Sequence, residues 1–492
     1  MSFAGNDLCL KQPRRVLVVG TGLAAYGACL ALLKHKELSI TVIDIGLNSP
    51  YPNQPNRSIP NAVAYKNQYF TYGLNDERTP FRLVSQRLCS SHAIGGFSKV
   101  YSGSLLKPSD ADLESWPKRS RPSDQDYNSV LSTLSIWQQH DDLDSVFPCY
   151  PFDSPQYDHE KDHTLLGLPR LAITKMPEKD YPFDSSLSFL RWEKEGRITY
   201  LNNTFLIKFT AMAKGITVAT TSGRLDFDQI YLGAGCINTT SIVDRSLYGF
   251  GEREYMIQSA PILLQLSLKI PFISRLMSPL QAPCIRPRNA DFCDFFLEHK
   301  SKATAHKWSH TQIGQINSTI QDRTLSAFSP KLRPLLVKLF SLFRFSITVF
   351  HSKLGSAAYL KSVVSQGEGA LESQTVTIIE PEARCLLSMR RSIRDAIYKS
   401  FYRLQLLPIP LSHIIADVVR GNRLGGWHFG GTLPMTNRPT KLTELTPDGQ
   451  LAAAPGVFVI DSSSFPSVPG STVALLTMAN AYRIASHSVP NS

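Results

Sequence analysis

The sequence predicts an α/β chain in two lobes, a Rossmann-like nucleotide-binding lobe with a mixed-sheet lobe threaded through it. Three observations carry this prediction. A strand–glycine turn–helix–strand unit stands near the N-terminus; a second small-residue turn follows a strand near residue 232; and a strand ending in aspartate precedes a helix near the C-terminus. Between them lie alternating, β-branched stretches that read as strands of another sheet. On this reading residues 12–117, 191–250 and 421–492 build the nucleotide-binding lobe, and 118–190 and 251–420 build the second lobe.

The first unit is RRVLVVGTGLAAYGACLALLKHKELSITVIDIG. Val16 to Val19 form a short apolar strand, Gly20-Thr21-Gly22 turn it, Ala24 to Leu33 read as a helix, and Ile40 to Ile43 form the next strand. Gly20 permits the turn. Gly22, with Leu23 and Ala24 behind it, lets a pyrophosphate approach the backbone at the helix N-terminus. Ala25 takes the third small position, where the helix packs on the strand. Asp44 ends the second strand 22 residues after Gly22, where a carboxylate accepts ribose hydroxyls. A bare glycine pattern is weak evidence, but strand, helix, strand and acid in this order are specific for a dinucleotide.

The next glycine cluster, HAIGGFSKVYSG, places Gly95, Gly96 and Ser98 in a loop suited to lie along a flat or phosphorylated ligand. DADLESWP then reads as a turn entering a helix, and the Pro-, Asp- and Ser-rich stretch that follows reads as irregular. Ile230 to Leu232 form an apolar strand that runs into Gly233-Ala234-Gly235-Cys236 and a helix, so Ala234 joins the cofactor-binding set. The segment KLRPLLVKLFSLFRFSITVF is apolar and basic together, and suits a membrane surface, a greasy cavity wall or a buried helix with basic ends. His306 and His310 stand four apart in HKWSH, with no third metal ligand near them in sequence, so no metal is expected. In the last segment, Val457 to Ile460 make a strand, Asp461 ends it, and a helix is expected from Ser471. Asp461 is placed to hold a ligand group. The helix start, with Ser471, presents N–H groups and positive dipole to an electron-rich ring.

Composition narrows the class of partner. The 492 residues carry a net charge of +12, with 42% hydrophobic and 19% charged residues, values that exclude a disordered chain. No basic helix, zinc motif or aromatic RNA-binding signature accompanies the charge, which excludes the usual nucleic-acid binders. An anionic membrane surface, a phosphorylated substrate or diffuse solvated charge each fits. The eight cysteines include no CxxC pair, which favours a reducing compartment. The polar, basic N-terminus has no signal-like apolar core, so the expectation is a cytoplasmic protein, peripheral at a membrane at most.

Taken together, VVGTGLAAYGA with Asp44, IGGFSKVYSG, DLESWP, YLGAGCINTT, HFGGTLPM and VFVIDSSSFPSVPG resemble, in order, the motifs of the glucose–methanol–choline (GMC) oxidoreductases. The resemblance covers about 200 residues of the nucleotide-binding lobe and leaves the middle of the chain uncovered. It implies FAD as cofactor and a small-molecule alcohol as substrate, with the electron acceptor unspecified. His428 occupies the histidine of the H-x-x-G-T-x-x-M pattern, with Thr432 and Met435 at its other positions. By resemblance it takes the substrate hydroxyl proton while hydride passes to flavin N5, a task suited to a neutral imidazole titrating near pH 6.5. Thr472 stands where the family carries a second His or Asn, and its hydroxyl donates a hydrogen bond but is no base near neutral pH. Val100 stands at the position where some members tether FAD through histidine, and His92 lies before the glycines, so FAD is expected to be noncovalent. A non-redox lyase and a binding module are the competing readings.

Overall fold

A computed structural model describes residues 13–46, 81–83, 90–99, 101–137, 163–167, 170–175, 180–269, 293–300, 308–315, 329, 331–354, 358–366, 372–379, 406–409 and 425–489. Along the chain, β1 (Arg14–Val19), α1 (Leu23–Leu32) and β2 (Leu38–Ile43) come first. α2 (Asp124–Leu131), α3 (Ser185–Lys194), β3 (Thr199–Leu201), β4 (Gln229–Leu232) and α4 (Cys236–Tyr248) follow. β5 (Gly251–Lys269), β6 (Trp308–Gln315), α5 (Arg333–Ser341), β7 (Phe343–Phe350) and β8 (Gly425–Gly430) build the second lobe. β9 (Val457–Val459) and α6 (Ala474–Ser488) close the first.

The first lobe is a five-stranded parallel sheet in the order β9-β4-β1-β2-β3. Val16, Leu17 and Val18 are buried, as a strand covered on both faces requires. At the end of β1 the chain turns at Gly20, whose φ of +98° and whose missing Cβ, 2.5 Å from the Gly233 carbonyl oxygen, both exclude a side chain. α1 is apolar all round because α6 and the sheet cover it. A Cβ on Gly27 would lie 2.2 Å from the Met478 carbonyl oxygen, so this glycine, not only Ala25, lets the two helices touch. Gly27→Ala is therefore expected to destabilise the fold by about 1–3 kcal/mol through overpacking. Chemical denaturation of the two proteins measures it, and an unchanged midpoint would contradict the contact.

Two expected boundaries move. Tyr127, Val130 and Phe189, assigned by sequence to the second lobe, lie in the core of the first together with Trp192. Trp192 stacks on Tyr26 of α1 with ring centroids 5.6 Å apart, and α2 packs on α6. The irregular composition around them hid two amphipathic helices, α2 packed on α6 and α3 on α1.

The second lobe is organised on β5, a 19-residue strand. Along its length it pairs with the strand Ala358–Gln366, with β8 and with β7, and β7 pairs with β6. β8, expected in the first lobe, thus belongs to this sheet, with Phe429 opposite Ser259. Beyond it the chain crosses over. The N–H groups of Gly431 and Leu433 donate to the carbonyls of Ser462 and Ser463 at 3.0 and 2.9 Å. His428 is consequently held at the seam between the lobes. His310 lies on β6, a strand rather than a helix, and His306 is outside the described residues. α5 is not a buried helix; most of its side chains are exposed.

Candidate active site

Of the residues predicted for the site, Gly20, Gly22, Leu23, Ala24, Asp44, Gly96, Ser98, Ala234, Asp461 and His428 border one cleft between the lobes. Gly95, Ser471 and Thr472 stand behind its walls. The cleft is chemically unusual because three helices end on it. Leu23 and Ala24 of α1, Gly235 and Cys236 at α4, and Val473 and Thr477 at α6 all line it. None of the three helices has a side-chain N-cap or an acidic residue in its first turn. α2 and α3, whose starts do not line this cleft, are capped conventionally by Ser123 and Asp184. The orphan N–H groups of a helix start need a partner, and three uncapped starts around one space provide positive dipole for an anionic ligand.

The glycines leave that space open. A Cβ on Gly22 would approach nothing nearer than the Gly95 carbonyl at 3.9 Å, and one on Gly235, where φ is +87°, would meet nothing within 4 Å. A pyrophosphate and a flat ring system fit such bare backbone, so the donors present suit FAD.

A hydroxyl that sequence reasoning passed over organises this end of the cleft. The Thr21 Oγ1 donates to Asp44 Oδ2 and accepts from the N–H of Gly95 at 2.8 Å, joining the glycine turn, the acid and the second loop. Ser98 Oγ donates to the Gly95 carbonyl at 2.7 Å and accepts from the N–H of Ser185 at 3.2 Å, so it shapes the loop. Burial pushes the Asp44 carboxyl up to about 7, against the opposing pull of its bond from Thr21.

Asp461 differs from expectation. Its carboxylate accepts from the N–H groups of Gly235 at 2.9 Å and Ser463 at 3.0 Å, and from the hydroxyls of Thr239 and Ser463. Four donors fill the acceptor sites of a carboxylate. Asp461 therefore borders the cleft but acts by holding the turn before α4, and its free capacity for a ligand is small.

His428 is half-buried, and its Nδ1 is a buried atom without a hydrogen-bond partner. Such an atom costs about 1–3 kcal/mol unless something binds it. Burial, and after it the neighbouring His310, push its pKa down to about 4, well below the 6.5 expected from sequence. The second imidazole was missed by sequence reasoning, which weighed it only as a metal ligand. Strand register explains its approach. His310 lies opposite Val349, and Val349 opposite Ile262, so the three share one face of the sheet. Ile262 and Val349 pack with Val473, which lines the cleft beside His428. Two positions along the same face, Gln312 accepts from the Ser102 hydroxyl at 2.9 Å. No cluster of three metal-ligating side chains occurs among the described residues.

Thr472 also differs. Its Oγ1 accepts from the N–H of Leu106 at 3.2 Å, and the buried side chain braces residue 106 against the last helix. The helix itself begins at Ala474 rather than Ser471, which leaves both residues in the preceding turn. Ser471 Oγ is buried with no hydrogen-bond partner. Val100, the expected vacant tether position, lies outside the described residues.

Comparison with known proteins agrees with this geometry. Residues 401–481, which include His428, Asp461 and Thr472, match the family model of GMC oxidoreductase. The fold is shared with pyridoxine 4-oxidase from Mesorbium loti, at 13% identity and a TM-score of 0.58 over 96% of this chain and 99% of that one. It is also shared with a formate oxidase, at 12% identity and a TM-score of 0.62 over 96% of this chain and 98% of the other. A formate oxidase of Aspergillus oryzae RIB40 aligns at 12% identity and a TM-score of 0.58 over 96% of this chain and 98% of its own. Among curated proteins, none matches the sequence. The resemblance read from the motifs is thereby borne out: the chain carries a GMC oxidoreductase segment on the α/β two-lobe fold of these oxidases. FAD is the cofactor of this class, and the three helix ends with Asp44 are the groups that would hold it.

Proposed function

We propose that the protein is an FAD-dependent oxidoreductase that oxidises a CH–OH group of a sugar, polyol-like or lipid-linked biosynthetic intermediate, with FAD bound noncovalently. The observation that carries this reading is the cleft of three uncapped helix starts that ends at an unpartnered, neutral histidine. When bound, FAD supplies the hydride acceptor. His428, unprotonated above about pH 4, accepts the proton of the substrate hydroxyl at its seam position. His310, buried behind the cleft wall, stands close enough to lower the basicity of His428 and acts on the reaction through it. The start of α6, without an acidic side chain, stabilises negative charge that develops beside it. Thr472 contributes by bracing. Buried free thiols such as Cys29 and Cys236 suit a cytoplasmic setting. The three structurally similar proteins named above are oxidases, which makes molecular oxygen the first electron acceptor to test.

The experiment is a titration of apoprotein with FAD, followed by acid precipitation. A yellow protein that releases intact FAD is expected; flavin retained by the precipitated polypeptide would refute noncovalent binding, and no binding would refute the reading. Asp44 adds a pH signature. Its carboxyl is half-protonated near pH 7, and ribose hydroxyls bond the ionised form. FAD binding is therefore expected to release protons near neutrality and to weaken as pH falls through about 7. Calorimetry in buffers of different ionisation heat measures this, and proton release unchanged in Asp44→Asn would contradict it.

A further inference from the structure

One surface of the second lobe has no role in the cleft. Leu332, Leu335, Leu339 and Leu342, on α5 and the residue at either end of it, are 49, 65, 45 and 47% exposed. Their spacing of three, four and three places them in one stripe along a helix. By the same spacing Lys331 and Lys338, both exposed, fall along one border of the stripe. The segment 331–342 contains no acidic residue. Leu407, 41% exposed, extends the patch: it lies opposite Leu268, which lies opposite Phe343 just beyond the helix.

A soluble surface seldom presents this many aliphatic side chains on one helix, and such a patch marks a contact site. We propose that α5 docks the protein on the surface of an anionic lipid bilayer. Leucines enter the boundary between headgroups and acyl chains, while the bordering cations meet lipid phosphates and carboxylates. Charge selects this occupant over a second copy of the chain, because self-pairing would set the lysines of one α5 against those of the other. The net charge of +12 adds attraction of the same sign. No helix among the described residues is long and apolar enough to cross a membrane. The inference is independent of the flavin chemistry.

The test is cosedimentation of the full-length protein with sucrose-loaded vesicles, made from phosphatidylcholine alone or from phosphatidylcholine with phosphatidylserine. Binding to the anionic vesicles is expected, weakened by salt. Replacement of Lys331 and Lys338 by Gln should reduce it roughly fivefold per cation. The double variant Leu335→Asp, Leu339→Asp should lose binding while keeping the parent's thermal midpoint and FAD content, since both side chains are exposed. Equal binding to neutral and anionic vesicles, or full binding by the double aspartate variant, would overturn the proposal. So would self-association of the parent that the double variant abolishes, which would assign the stripe to a dimer.

Discussion

His428→Ala slows reduction of bound flavin by about 10²- to 10⁴-fold, the effect of losing a positioned general base, and leaves FAD binding nearly unchanged. The two effects separate because the imidazole stands at the lobe seam, while the helix starts and Asp44 are the groups that would hold the nucleotide. The sign of the pH dependence follows from its environment. Burial holds the folded-state pKa near 4, so the active, unprotonated form prevails above that pH and the rate falls as pH drops through about 4. An unburied histidine would lose activity from about 6.5. Stability carries the same mark. Between about 6.5 and 4 the unfolded chain protonates this histidine and the folded chain does not, so the group destabilises the apoprotein as pH falls through that range. Stopped-flow bleaching without oxygen measures the rate. Full activity in His428→Ala would return the residue to a structural part of a glycine-rich strand.

His310→Ala is expected to slow the same step by about 10²-fold, while Thr472→Ala costs only about 1 kcal/mol, the worth of a neutral hydrogen bond. The contrast follows from what each side chain does: Thr472 accepts from Leu106, whereas His310 sets the basicity of His428. A second readout does not depend on turnover. Because His310 helps to depress the basicity of His428, its removal should move the His428 titration upward from about 4, as followed by imidazole NMR. A rate and a titration both unchanged in His310→Ala would remove it from the site. A larger loss in Thr472→Ala than in His310→Ala would restore the threonine as the second active group.

The sequence makes local features of the site visible and hides the long-range ones. Gly20, Gly22 and Asp44 are legible because one turn, one helix and one strand place them within a single unit, and the cleft brings them together. The start of α6 was legible in kind but not in position, because Ser471, Thr472 and Val473 are not distinguished by propensity from a first helical turn. Asp461 looked like a ligand-binding acid. Only the folded chain shows that Gly235, Thr239 and Ser463 already surround it. Thr21 was passed over because its bonds to Asp44 and Gly95 join three segments that meet only after folding. His310 was invisible for a stronger reason. Its place beside His428 is set by the registers of β6, β7, β5 and β8, pairings between distant strands that no local pattern encodes. The lobe boundary was misplaced at β8 because the strand belongs to one sheet and the residues after it to the other.

The most direct test of the central claim is the visible spectrum of the FAD-reconstituted protein, followed without oxygen while sugars, polyols and apolar alcohols are added in turn. Flavin absorbance that bleaches with one of these alcohols, and persists when His428→Ala meets the same alcohol, is the expected result. Apoprotein that binds no FAD, or bound FAD that bleaches as fast in the variant as in the parent, would contradict the account.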